Sequence, residues 1–192
     1  MRPTAVESCF EVACWFLDRA INDGEYLQPQ KLHRLMFLAQ GYFGVLQNGA
    51  KLMPATFIAT DEGPIEPNVF RAFARGRPQV DVKPIDETPR HILDSIWRQF
   101  GAHSTEHLNK LIRRHPPYAD ALASSPGAEI LFESMVDFYG TQGLSRRPSV
   151  AGDAATAEGN EPAAGKVLRP KVMRSYNGKP VTVNRWTPKR AP

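Results

Sequence analysis

A chain of 192 residues, 42% hydrophobic and 23% charged, has the composition of a soluble globular protein and enough length to bury a core. Its net charge of +4 hides a division: residues 146–192 carry ten Lys/Arg against three Asp/Glu, whereas residues 1–145 carry fourteen against seventeen. No apolar run approaches the roughly 20 residues of a membrane-spanning helix, and Glu7 and Glu11 fall where a secretory signal is apolar, so a cytoplasmic protein is expected.

In chain order, Thr4 and Glu7 have the spacing of a capping box and predict a helix start. The stripe Val6, Phe10, Ala13, Cys14, Leu17 and Ile21 follows, and Asn22-Asp23-Gly24 stops it. Cys9 and Cys14 lie about 140° apart around that helix, which rules out their pairing and leaves two small core residues. Pro29 opens a second helix with the stripe Leu32, Leu35, Met36, Ala39, Phe43 and Leu46. Because Phe37, Leu38 and Tyr42 make its opposite face apolar too, this helix is expected at the centre of the core. His33 is read as a polar-edge residue beside Arg34.

"ATFIAT" predicts a strand, with "QVDVKPI" as a candidate second. Between them stands "TDEGPIEP": Gly63 permits backbone angles closed to other residues, Pro64 fixes its own φ, and Pro67 suits the first turn of a helix. Strand, rigid turn and short helix are therefore expected, with Val69, Phe70 and Phe73 inward and an end near Gly76. Thr88-Pro89 opens a helix carrying Ile92, Leu93, Ile96, Trp97 and Phe100; Ser104 caps another carrying Leu108, Leu111 and Ile112, which stops before Pro116-Pro117. A last helix is expected over about Ala128 to Tyr139. The fold class is mainly α: a compact helical domain over residues 1–144 with a minor short β element. Residues 145–165, poor in large apolar side chains, read as a flexible linker. Residues 166–192 carry eight cations and no anion among apolar anchors, and Asn177-Gly178 signals a hairpin. They read as a basic, β-prone tail that binds a partner.

The chain carries no phosphate-cradling loop, nucleophile elbow, CxxC pair or HExxH. His103 precedes the Ser104 cap and so lies off the helix that carries His107, which argues against a shared metal. Asp61 and Glu62 point in different directions in extended chain and face no evident nucleophile. They are read as solvated turn residues or as part of a surface that meets a basic partner. A binding protein is expected rather than an enzyme, with no catalytic residue, metal or cofactor.

The stretch from Lys31 to Phe73 resembles the phage-associated Panacea antitoxin domain, the family that includes the SocA-like proteolytic adaptors. Lys31, Leu32, Leu35, Phe37, Ala39, Gln40, Gly41 and Tyr42 follow its helix pattern, Gly49 and Leu52 its turn, and Gly63, Pro64, Ile65, Pro67, Val69, Phe70 and Phe73 its closing run. Two departures are Ala59-Thr60, where the family has Ala-Trp, and Arg34, where it has a lysine. The resemblance implies an antitoxin that neutralises a co-encoded protein toxin by direct contact, or an adaptor that delivers the toxin to the ClpXP protease. It implies Gln40, Gly41, Gly63, Pro64 and Pro67 as structural positions. Partner contact is placed on Asp61 and Glu62 and, in the tail, on Arg169, Lys171, Tyr176, Arg185 and Trp186. Nucleic-acid binding through the tail is a further alternative, opposed by Pro170, Pro180 and Pro188 and the lack of a recognition-helix pattern.

Overall fold

The computed structural model describes residues 3–144, 172–174 and 180–182. It is mostly helical, with seven helices among the described residues and one small three-stranded sheet.

The second helix, α2 (Pro29–Leu46), runs through the middle: all thirteen residues from Leu32 to Gly44 are buried, as its two apolar faces predict. Around it stand α1 (Cys9–Asn22), α4 (Glu87–Phe100), α5 (Thr105–Ile112) and α7 (Phe132–Leu144). On α4, Ile92, Leu93, Ile96, Trp97 and Phe100 are all buried, and Ser104 caps α5 by accepting from the His107 N–H. α7 reaches α2 closely because Gly41 and Gly44 carry no side chain. A Cβ on Gly41 would lie 2.4 Å from a ring carbon of Tyr139, and one on Gly44 would lie 2.6 Å from a methyl of Val136.

The sheet has the order β2-β1-β3. β1 (Phe57–Thr60) and β2 (Gly63–Ile65) form an antiparallel hairpin with Thr60 opposite Gly63, so Asp61 and Glu62 are its two-residue loop. β3 (Glu129–Ile130) pairs with β1 from the far end of the domain. Pro67 opens α3 (Pro67–Ala72) at its first turn. β4 (Val172–Arg174) and β5 (Pro180–Thr182) pair antiparallel across the segment that holds Asn177-Gly178, and β4 lies against α4.

Several expectations are corrected. α1 starts at Cys9 with Ser8 as N-cap, so Thr4 and Glu7 lie outside it; the Thr4 hydroxyl instead donates to the Val6 carbonyl at 2.6 Å. Its buried apolar face is Cys9, Val12, Ala13, Cys14, Phe16 and Ala20, so Ala13 and Cys14 lie inward as expected while Ile21 is exposed. "QVDVKPI" is irregular, and the third strand comes from Glu129–Ile130, so the last helix begins only at Phe132. α3 ends at Ala72 and leaves Phe70 56% exposed. A helix that the sequence reading omitted, α6 (Pro116–Ser124), starts on the proline pair itself, which fits because the first helical positions need no N–H donor. His33 is buried rather than at a polar edge.

Candidate functional site

The hairpin tip is held from inside. The carbonyls of three successive residues each accept from a side chain of a different helical segment: Thr60 from the Tyr118 hydroxyl of α6, Asp61 from the Arg113 guanidinium at the end of α5, and Glu62 from the Arg34 guanidinium of α2. Within the turn, the Thr60 hydroxyl donates to the Gly63 carbonyl at 2.8 Å. Gly63 has φ 128°, a conformation that favours glycine, and a Cβ there would lie 2.7 Å from an Arg34 nitrogen. With their backbones fixed in this way, Asp61 and Glu62 are exposed.

Arg34 is the hub of the clamp. Only 2% exposed, it also donates to the Gln30 carbonyl and to Oδ1 of Asn109 on α5, so its planar fork ties α2, α5 and the hairpin together. Burial pushes its guanidinium down to about 10, opposed by the negative charge of nearby Glu62 and Glu106, and it stays cationic at neutral pH.

Beneath the tip lies a buried polar cluster. Glu66, fully buried, caps α3 by accepting from the Val69 N–H at 2.6 Å, and it also accepts from the Asn68 amide at 3.0 Å. The Cys9 thiol approaches the same carboxylate at 3.7 Å. The Glu66 N–H donates to Nδ1 of His33 at 3.3 Å, which places the ring proton of the neutral imidazole on Nε2. Burial, reinforced by the adjacent Arg34 charge, pushes His33 down to about 4. Burial, followed by the Glu66 charge, pushes the Cys9 thiol up to about 12. A nucleophilic cysteine needs the opposite arrangement, a lowered pKa and access to substrate. The Cys9–Glu66–His33 cluster therefore has the chemistry of a fixed core: it seats α1, α2 and α3 under the hairpin.

The other expected positions fall into two groups. Gln40 is buried and holds the chain after α2 through paired bonds to the Met53 N–H and carbonyl, both 3.1 Å. Gly41 admits the Tyr139 ring, Pro64 is buried in β2, and Pro67 starts α3. Arg169, Lys171, Tyr176, Arg185 and Trp186 lie outside the described residues, as does the expected linker over 145–165. The rings of His103 and His107 stack at 4.3 Å, and no group of three metal-ligating side chains occurs among the described residues.

Asp61 and Glu62 are in the turn, as their sequence context predicts, whereas the support from Arg34, Arg113, Tyr118, His33 and Glu66 has no counterpart in the predicted site residues. One signal stood in the sequence: His33 and Arg34 interrupt a helix that is otherwise apolar from Leu32 to Ala39, and polar groups at such depth need partners. No protein-family model matches the chain, and neither a curated protein nor a solved structure matches it.

Proposed function

We propose that this chain is an antitoxin that neutralises a co-encoded protein toxin by direct contact, within the cytoplasm. The observation that carries the reading is the clamped hairpin: three side chains, Arg34 of α2, Arg113 at the end of α5 and Tyr118 of α6, hold the backbone that carries two exposed acidic residues. A loop fixed before it meets its partner loses little entropy on binding, and two projecting carboxylates suit a basic partner surface. The resemblance of Lys31 to Phe73 to the Panacea antitoxin domain supports the same reading, since its G-P-I-x-P run is the segment that forms β2 and starts α3. The tail adds contacts through Arg169, Lys171 and Arg185, with Tyr176 and Trp186 as aromatic anchors. Among the described residues no helix is long and apolar enough to cross a membrane.

The test is co-expression of the tagged full chain with the co-encoded protein. A stoichiometric complex that restores growth is expected. Replacing Asp61 and Glu62 together by Arg should weaken that complex at least about tenfold. Restored growth without a complex, with the toxin disappearing only when ClpXP is present, would establish the adaptor alternative instead. The absence of both a complex and restored growth would end the antitoxin reading.

A further inference from the structure

A second surface lies on the far side of α6 from the hairpin clamp. α6, β3 and α7 enclose a groove of about 520 Å³. Pro117 and Ala121 of α6 and Phe138 of α7 line its apolar part, together with Leu131, which is 56% exposed although it follows directly on a core strand residue, Ile130. Every charged side chain lining the groove is a carboxylate: Asp120 on α6, Glu129 on β3 and Asp137 on α7. None of the three has an ion pair with a basic residue among the described residues. Two exposed carboxylates elsewhere, Asp18 and Glu7, do have cations, Arg77 and Lys83; the groove differs in bringing three carboxylates and no cation around one apolar trough.

An apolar trough bordered by three carboxylates is matched by a segment that carries an apolar side chain between cations. The chain's own basic tail has that composition, but its strand β4 is seated against α4, which packs on α2 elsewhere in the fold. We propose that the α6–β3–α7 groove is the docking site for a basic, apolar-anchored segment of a protein partner. The anchor fills the space beside Leu131 and Phe138, and flanking Lys or Arg side chains pair with Asp120, Glu129 and Asp137. This deepens the reading of the body as a protein-binding scaffold, and it is independent of the hairpin tip.

Two synthetic peptides test it on the isotope-labelled full chain. Both hold a central Leu-Trp pair, one flanked on each side by two lysines and the other by two glutamates. The lysine peptide should bind at least about tenfold tighter and shift the amide resonances of Ala121, Leu131 and Phe138. Asp120→Lys combined with Asp137→Lys should reverse the order of the two peptides while leaving the rest of the spectrum in place. Equal affinities, or shifts confined to Asp61 and Glu62, would overturn the proposal. So would a markedly tighter lysine-peptide complex after Arg185, Lys189 and Arg190 are replaced by Ser, because the chain's own terminus would then be the occupant. If the toxin complex forms unaltered by the two Lys substitutions, the groove assignment fails while the antitoxin reading stands.

Discussion

At the scale of single residues, the clamp rests on Arg34 and Gly63. Replacing Arg34 by Met keeps much of the apolar stem but leaves the Glu62 carbonyl and the Asn109 amide oxygen without their donor. A loss of about 2–4 kcal/mol is expected, measured as a shift in the urea unfolding midpoint. Arg34→Lys should recover little of it, since a single ammonium cannot reproduce the guanidinium fork. Gly63→Ala introduces both a disfavoured φ and an overlap with Arg34. Because Arg34 and Gly63 are parts of one clamp, the double variant Arg34→Met, Gly63→Ala should lose less than the sum of the two single losses. Strict additivity would mean that the two residues act separately.

His33 makes a pH prediction at the same scale. The unfolded chain takes up its imidazole proton near the ordinary 6.5, whereas the folded chain resists until about 4, because the ring is buried next to Arg34. Between those values the unfolded state holds the extra proton, so stability falls as pH falls. The contribution is complete above about pH 6.5 and is lost by about pH 4, amounting to roughly 3 kcal/mol over that window. His33→Gln should flatten the stability curve between pH 6.5 and 4 in urea titrations. An unchanged slope would assign the acid sensitivity to other groups.

At the scale of elements, the α2–α7 contact depends on two absent side chains. Gly41→Ala leaves α2 helical but drives a methyl into the Tyr139 ring, whose neighbours Tyr42 and His115 lie at centroid distances of 4.8 and 5.5 Å and leave it little room. The expected loss is about 1–3 kcal/mol, the usual penalty of overpacking. It should shrink in a Tyr139→Leu background, which removes the obstructing ring edge; a constant penalty in both backgrounds would place the strain elsewhere. The hairpin and α3 form a second unit of this kind. Glu66 caps α3 while its backbone N–H binds His33 of α2, so the helix start and the hairpin end are fixed by the same residue.

At the scale of the whole molecule, charge is the organising feature. The body is acidic and presents Asp61 and Glu62 at one place and the groove carboxylates at another, while the tail holds a net excess of cations. On the proposed antitoxin reading, deleting Gly165 to Pro192 should cost at least about tenfold in affinity for the co-encoded toxin, or about 1.4 kcal/mol, in a titration of the purified proteins. An unchanged affinity would remove the tail from the interface and leave the body as the binding surface.

The sequence by itself determined the elements whose signals are local. The apolar faces of α2 and α4, Ser104 as the cap of α5 and Pro67 at the start of α3 all act over a few residues, through periodicity and capping. Asp61 and Glu62 could be placed in a turn on the same grounds. Where local signals compete they do not decide: Thr4 and Ser8 are both N-cap residue types, and Pro116-Pro117 both follows one helix and begins another. The tertiary structure alone decided the rest. Glu129–Ile130 becomes a strand because β1 offers it an edge more than sixty residues away. Arg34, Arg113 and Tyr118 meet at three consecutive carbonyls because α2, α5 and α6 converge there, and no spacing in the chain records that convergence. The physical reason is that a buried polar group is satisfied by whatever the packed fold brings to it, so its partners are properties of the packing rather than of its sequence neighbours.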